Sequence, residues 1–194
     1  MIDQLRVGLF FGSFNPIHLG HLMLANYMVE FTEIHELWFI VSPQNPLKDK
    51  KSLLAEQDRY DMVIKGLEDY PKFRVSDVEF HLPRPSYTID TLVRLSERYP
   101  KYKFFLVCGM DALESFLKWK NYEQILEGYH LLVYPRKGAD GGTLISHPSV
   151  KIVDAPEIEL SSSFIRRAVA SGKDMRFFLP KDVYEHITTM HFYE

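Results

Sequence analysis

Two histidines near the start of the chain have residue types and a spacing that suit phosphate chemistry. An apolar run at residues 7–11 predicts a buried strand, Gly12 and Ser13 end it, and a helical pattern begins at about residue 18. A junction of this kind presents unpaired backbone N–H groups and the positive end of a helix dipole to an anion. His18 and His21 lie three positions apart, so both imidazoles share one face of the first helical turn. The sequence therefore predicts a phosphate site here, with Gly12 as the point of close backbone approach.

A second set of candidate phosphate ligands lies far along the chain. Ser161, Ser162 and Ser163 come at the predicted start of a helix, where their hydroxyl and backbone N–H groups can donate to phosphate oxygens. Arg166 follows one turn later and can place a guanidinium fork on the same oxygens. Taken alone, this pattern is also typical of an ordinary serine N-cap followed by a solvated arginine.

Two other interpretations of the histidine pair stay open at this point. The imidazoles could ligate a metal ion, although a zinc site usually has more ligands and no cysteine or third histidine lies at a suitable spacing. They could also be two solvent-exposed residues at a helix start. The strand–glycine–helix context favours phosphate binding over both, so we expect no metal held by protein ligands.

The elements that must position these residues follow from the hydrophobic pattern. Strands are predicted at residues 7–11, 37–41, 73–75, 78–80, 104–108, 130–134 and 151–153, and helices at 18–32, 54–67, 88–99, 111–116, 122–126, 162–170 and 181–190. The alternation predicts an α/β fold with a Rossmann-like, doubly wound, mainly parallel sheet and helices on both faces. In such sheets ligands bind at the carboxyl ends of the strands, where the strand order reverses. Both phosphate segments follow predicted strands.

Composition limits the class of protein. The 194 residues are 46% apolar, so we expect a single domain spanning residues 1–194. A net charge of −3, from 23 basic and 26 acidic residues, gives no reason to expect nucleic acid or an anionic membrane as a partner. The one cysteine, Cys108, cannot form an internal disulfide, and the sequence has no apolar signal segment or bilayer-length apolar run. We therefore expect a cytoplasmic protein.

The segment Phe-Gly-Ser-Phe-Asn-Pro-Ile-His-Leu-Gly-His that ends at His21 resembles the signature of the HxGH nucleotidyltransferases. The departure that matters is Phe11, which stands where many members have the first glycine. The segment Leu-Ser-Ser-Ser-Phe-Ile-Arg that ends at Arg166 is similar to the Ile-Ser-Ser-Thr-x-Ile-Arg motif of the same superfamily. The resemblance implies transfer of a nucleoside monophosphate from a nucleoside triphosphate. It also implies that His18, His21 and Arg166 are catalytic.

The middle of the chain resembles the bacterial nicotinate mononucleotide adenylyltransferases. These segments are Ser-Tyr-Thr-Ile-Asp-Thr-Leu from residue 86, Gly-Met-Asp from residue 109, and the tryptophan and Ile-Leu pair that follow. The resemblance implies that Trp119 stacks on the pyridine ring and that Thr88, beside Tyr87, helps to hold the nicotinate carboxylate. For the ATP side it implies that Asp111 meets the ribose. The implied ATP ligands are Gly12, Ser13, His18, His21, Gly109, Asp111, Arg136, Ser161, Ser162, Ser163 and Arg166.

The loop at residues 42–51 departs from that family, whose members often end it with Pro-Pro-His-Lys or similar, because no histidine is present. Lys48 and the charges that follow it could serve a substrate phosphate, although such a charge run is more often a solvated loop.

The activity that the resemblance implies is transfer of AMP from ATP, with Mg²⁺, to a pyridine mononucleotide. For nicotinate mononucleotide the products are nicotinate adenine dinucleotide and pyrophosphate. Three alternatives stay open: an adenylyltransferase for nicotinamide mononucleotide, one for phosphopantetheine, and a non-catalytic nucleotide sensor on the same fold. One residue can switch a pocket between a carboxylate and an amide, so the preference for nicotinate rests on the resemblance.

Overall fold

A parallel sheet of six strands forms the centre of the computed structural model, which describes residues 4–43, 53–67 and 69–194. The strands are β1 (Leu5–Gly12), β2 (Glu36–Val41), β3 (Phe73–Ser76), β4 (Tyr102–Gly109), β5 (His130–Tyr134) and β6 (Val150–Ile152). Their order is β3-β2-β1-β4-β5-β6, and each neighbouring pair is parallel. The Rossmann-like doubly wound fold is confirmed, and the sheet is parallel throughout rather than mainly parallel.

Helices cover both faces of this sheet. They are α1 (Leu19–Phe31), α2 (Glu56–Gly66), α3 (Thr88–Arg98), α4 (Met110–Glu114), α5 (Tyr122–Gly128), α6 (Ser162–Ala170) and α7 (Lys181–Thr189). Apolar side chains of α1, α2, α6 and α7 pack on one face, and those of α3, α4 and α5 pack on the other. β1 lies between β2 and β4, so the strand order reverses at its carboxyl end. That crevice is where a sheet of this kind binds ligands.

One predicted strand is wrong. Residues 78–80 belong to a 3-10 helix, Val78–His81, instead of a strand. The Ser76 hydroxyl accepts the backbone N–H of Val78 at 3.3 Å and begins a turn directly after β3. Such a local side-chain bond competes with strand pairing, and here it also directs the Glu79 side chain inward.

Two other differences concern helices. The helix predicted at residues 111–116 is α4 followed by a separate 3-10 helix, Phe116–Lys118. The helix predicted to reach residue 190 ends at Thr189, and the chain then turns back. No helix in the described part of the chain is long and apolar enough to cross a membrane.

Candidate active site

The junction between β1 and α1 brings the two histidines together at the crevice. β1 ends at Gly12, His18 is the N-cap of α1, and His21 lies in the first turn. The two imidazole rings stack, with centroids 3.7 Å apart and planes inclined by 22°. The backbone N–H of His18 donates to Nδ1 of His21 at 3.3 Å. This bond leaves Nε2 of His21 as the nitrogen that carries the proton of a neutral ring.

His18 is the more deeply buried of the pair. Only 3% of its surface is exposed, and within the described residues its Nδ1 atom has no hydrogen-bond partner. Burial, with a smaller contribution from the Arg136 charge, lowers the pKa of His18 from 6.5 to about 4. The ring is therefore neutral near pH 7, which avoids placing two stacked cations at 3.7 Å.

The lowered pKa of His18 leads to a pH prediction. We expect the ring signals of His18 in an NMR titration to shift with a midpoint near pH 4, whereas in denaturant the same residue should titrate near 6.5. The unfolded chain then binds the extra proton between these two values. The stability contributed by the neutral ring is complete above pH 6.5, falls as the pH drops towards 4, and changes little below that. The His18→Gln variant identifies the signals, and a folded-state midpoint near 6.5 would contradict the assignment.

A first cavity, of about 490 Å³, opens on this junction. It contains most of the residues predicted for the triphosphate. They are Gly12, Ser13, His18, His21, Arg136, Ser161, Ser162, Ser163 and Arg166. Gly12 has no room for a side chain, because a Cβ atom there would lie 2.7 Å from the Phe14 ring.

The start of α6 forms the wall opposite the histidines. Ser161 is the N-cap, and its hydroxyl accepts the backbone N–H of Phe164 at 3.2 Å. The Ser162 hydroxyl donates instead to the carbonyl of Pro16 at 2.9 Å, so it holds α6 against the β1–α1 junction. Arg166 donates from one Nη atom to the Asn15 carbonyl at 2.8 Å and from the other to the Ser163 hydroxyl at 3.3 Å. The guanidinium charge is thereby fixed at the edge of the cavity.

A second cavity, of about 510 Å³, adjoins the first and shares Phe10, Phe11, Gly12, Ser13 and Tyr134 with it. It contains the residues predicted for the mononucleotide and the two remaining ones predicted for ATP. They are Tyr87, Thr88, Gly109, Asp111 and Trp119. Most of the shared residues lie at the carboxyl end of β1, so the two cavities adjoin there and are together called the cleft.

Trp119 and Tyr87 supply aromatic surface to the second cavity. Trp119 is partly buried and packs on Phe116 with ring centroids 4.8 Å apart. Tyr87 is exposed, and the ammonium nitrogen of Lys120 lies over its ring, 4.5 Å from the ring centroid. An aromatic wall of this type can stack on a planar ligand ring.

Asp111 and Arg136 face each other where the cleft widens. Nε of Arg136 lies 3.7 Å from the Asp111 carboxylate, and both side chains are well exposed. Gly109 keeps this space open, since a Cβ atom there would come within 2.9 Å of the Arg136 side chain. Lys48, the last predicted ligand, lies outside the described residues.

The sequence and fold comparisons agree on one family. The family model described as Cytidylyltransferase-like matches residues 9–168. A relative from Cytophaga hutchinsonii, named "Probable nicotinate-nucleotide adenylyltransferase", is 49% identical over 97% of this chain and 98% of its own length. A Flavobacterium johnsoniae relative of the same name is 46% identical over 98% of this chain and all of its own length. The chain belongs to the nicotinate-nucleotide adenylyltransferase family of cytidylyltransferase-like proteins.

Solved structures with a similar fold cover nearly the whole chain. A Plasmodium falciparum nicotinic acid mononucleotide adenylyltransferase complexed with NaAD superposes with a TM-score of 0.81, at 20% identity and 97% coverage of both chains. The same parasite protein complexed with APC gives a TM-score of 0.79, over 97% of this chain and 96% of that one. At this identity the similarity concerns the fold.

The donor set of the cleft does not suit a resident metal ion. Among residues 4–43, 53–67 and 69–194, no group of three histidine, cysteine or acidic side chains is placed to hold one. Of the described residues, two carboxylates line the cavities: Asp111 faces Arg136, and Glu79 is bonded to hydroxyl groups.

Two buried charged residues organise the cleft, and the sequence analysis missed both. Arg59, with none of its surface exposed, donates to four backbone carbonyls, those of Ser13, Ser42, Pro43 and Leu54. These carbonyls follow β1, follow β2 and precede α2, so one side chain joins three segments around the cleft. In the sequence it is one charge among several on an amphipathic helix, with no motif to mark it.

Glu79 is the second of these buried charged residues and lines the second cavity. Its carboxylate is 3% exposed and accepts hydroxyl bonds from Ser86 at 3.1 Å and Thr91 at 2.9 Å. Burial raises its pKa, and the hydroxyl groups of Ser42, Thr91 and Ser86 act in the opposite direction. These bonds hold Ser86 and the start of α3, where Tyr87 is the N-cap and Thr88 the first residue, near Ser42 at the end of β2.

Proposed function

We propose that this chain transfers the adenylyl group of Mg·ATP to the phosphate of nicotinate mononucleotide. The products are nicotinate adenine dinucleotide and pyrophosphate. The observation that carries the proposal is the pair of adjoining cavities that meet at Gly12 and Ser13, one lined by imidazole, hydroxyl and guanidinium groups and the other by aromatic rings. Two substrates bound in them would meet at the carboxyl end of β1. The names of the curated relatives support the same activity.

The reaction needs no nucleophile from the protein. An oxygen of the mononucleotide phosphate attacks the α-phosphorus of ATP, the bond from that phosphorus to the bridging oxygen breaks, and pyrophosphate leaves with the metal. Cys108 fits this description, because burial raises the pKa of its thiol to about 12 and it stays protonated. Catalysis is then positioning together with stabilisation of the negative charge on the three phosphates.

The first cavity suits the triphosphate. His21, with the proton on Nε2, and the neutral His18 are assigned to the α- and β-phosphates as hydrogen-bond donors. The first turn of α6 and Arg166 supply N–H groups and positive charge for the outer phosphates. Donors fixed in place before the substrate arrives require no reorganisation as charge moves to the leaving group.

The second cavity suits a pyridine mononucleotide with a carboxylate. A cationic pyridinium ring gains stacking and cation–π energy on the indole face of Trp119, about 1–2 kcal/mol when desolvated. α3 begins at Thr88 beside the cavity, and its N-cap Tyr87 makes no side-chain capping bond. The N-terminal N–H groups of that helix favour an anionic group over a neutral amide. We therefore assign nicotinate rather than nicotinamide as the preferred acceptor.

The test is a pyrophosphate-release assay with Mg·ATP and one acceptor at a time. Nicotinate mononucleotide, nicotinamide mononucleotide and phosphopantetheine are compared at equal concentrations. We expect the highest kcat/KM with nicotinate mononucleotide, and mass spectrometry should identify the dinucleotide. Faster reaction with another acceptor would replace the assigned substrate, and the absence of pyrophosphate with all three would favour a nucleotide sensor.

Trp119 provides a prediction for the second cavity. We expect Trp119→Ala to raise the KM for nicotinate mononucleotide about tenfold, because a stacking and cation–π contribution of 1–2 kcal/mol is lost. The KM for ATP should stay nearly unchanged. Trp119→Phe, which keeps an aromatic face, is the control. Its KM for nicotinate mononucleotide should lie between those of the wild type and Trp119→Ala. An equal rise in both KM values would contradict the stacking role.

Three further expectations belong to the proposal. We propose Mg²⁺ as the ion that accompanies ATP, since its ligands in the cleft would be phosphate oxygens and water. We propose that residues 1–194 act as one nucleotidyltransferase domain. We propose the cytoplasm as the compartment, on the single cysteine.

A further inference from the structure

The residues after α7 turn back onto the cleft. This return segment, residues 190–194, leaves the helix at its C-cap Met190, and His191 and Tyr193 adopt left-handed conformations with φ of 53° and 69°. The backbone N–H of Phe192 donates to the carbonyl of Ile187 at 3.0 Å, and its ring meets the His186 ring edge-on at 5.6 Å. These contacts fix the direction in which Tyr193 leaves the helix.

Tyr193 contacts a residue that lines the first cavity. Its partly buried ring packs against the core beneath α1 and α2, and its hydroxyl donates to Oδ1 of Asn15 at 2.8 Å. Burial raises the pKa of Tyr193 well above its usual range, so the hydroxyl keeps its proton and remains a donor. The same Oδ1 atom accepts the backbone N–H of Leu54 at a longer distance, 3.4 Å.

Asn15 links this contact to the cavity. It lies in the β1–α1 junction, is 2% exposed and lines the first cavity. Its backbone carbonyl accepts the 2.8 Å hydrogen bond from Arg166. Tyr193 therefore holds the side chain of a residue whose main chain holds the guanidinium assigned to ATP.

We propose that Tyr193 is a positioning residue for the triphosphate site. By fixing the Asn15 amide, its hydroxyl sets the conformation of the β1–α1 junction and, through the Asn15 carbonyl, the place of Arg166. This inference rests on the proposed function in one respect, since it requires that the first cavity binds ATP. Tyr193 itself lines neither cavity.

The first test compares two variants that each lose one phenolic hydroxyl. Tyr193→Phe keeps the ring and removes the bond to Asn15. Tyr184→Phe is the matched control on α7, where the hydroxyl is bonded to the Asp174 carboxylate instead. We expect Tyr193→Phe to lower kcat/KM for ATP about fivefold, with the KM for the mononucleotide unchanged. Tyr184→Phe should leave both parameters unchanged. Equal kinetics for the two variants would overturn the proposal, whatever their melting temperatures.

The second test asks whether Tyr193 acts through Asn15. In a double-mutant cycle, the fivefold effect of Tyr193→Phe should disappear in an Asn15→Ala background, because the acceptor is already absent. An effect that persists in full would mean that Tyr193 acts by another route and would overturn the proposal. Calorimetric titration of the wild-type protein with Mg·ATP separates the two proposals. No binding would overturn both, whereas normal binding with unaltered Tyr193→Phe kinetics would overturn this one alone.

Discussion

We expect His21→Ala to lower the turnover of adenylyl transfer by about two to three powers of ten, and His18→Ala to have an effect of similar size. The rings lie stacked at the end of β1, where they can donate to the phosphates between which charge moves. A fixed donor in a partly dry site contributes much more to the transition state than to substrate binding. The loss should therefore fall on kcat, with little change in either KM. Single-turnover measurement of pyrophosphate release is the direct check.

The tautomer of His21 makes this prediction more specific. Because Nδ1 accepts the backbone N–H of His18, Nε2 is the nitrogen of a neutral ring that can donate to a phosphate. The amide nitrogen of glutamine can approximate the position of Nε2, whereas asparagine approximates Nδ1. His21→Gln should therefore keep more activity than His21→Asn or His21→Ala.

The control for the histidine variants is His81→Ala, since that side chain is 75% exposed and pairs with Asp77 away from the cleft. It should match the wild type. Circular dichroism of all variants should show an intact fold, because each substitution changes only one side chain. Near-normal turnover in both His18→Ala and His21→Ala would refute the assignment of these residues to the phosphates.

Local pattern accounts for the part of the architecture that the sequence analysis predicted. The apolar run before Gly12 and the helical pattern after His18 are strong signals, since periodicity and glycine act within a few residues. The serine N-cap of α6 was predicted at its observed position, because capping is also local. Once the strands were known, the rule that ligands bind at their carboxyl ends was enough to expect these two segments near one another.

The residues that the sequence did not mark as part of the site act through hydrogen bonds to other segments of the chain. Arg59, Glu79 and Tyr193 bind groups that come from other parts of the chain, and two of them are ordinary charges in the sequence. The acceptors of Arg59 are backbone carbonyls, which have no residue type to recognise. Residues 78–80 show the limit of periodicity. Val78 and its neighbour Glu79 are both buried, whereas an alternating strand pattern would expose one of the two. The roles of individual site residues remain predictions for the variants described above.

Arg59→Met should lower the free energy of unfolding by about 3–5 kcal/mol, the largest stability effect expected of a single substitution here. The guanidinium is fully buried and donates from all three nitrogens to four carbonyls, at 2.6 Å to Ser13, 2.8 Å to Ser42, 2.9 Å to Pro43 and 3.1 Å to Leu54. Methionine fills much of the volume and leaves these acceptors without their donors. Urea unfolding of both proteins measures the difference.

The matched control is Arg94→Met on the exposed face of α3, which should change stability by less than about 0.5 kcal/mol. Arg59→Lys separates charge from geometry. A lysine keeps the positive charge, but its single ammonium group cannot reach carbonyls that a planar fork spans in several directions. We expect this variant to fold with reduced stability and to raise the KM of both substrates, since Ser13, after β1, lines both cavities and Ser42, after β2, lines the second. Wild-type stability and kinetics in Arg59→Lys would mean that a buried charge, rather than the four-carbonyl geometry, holds the cleft together.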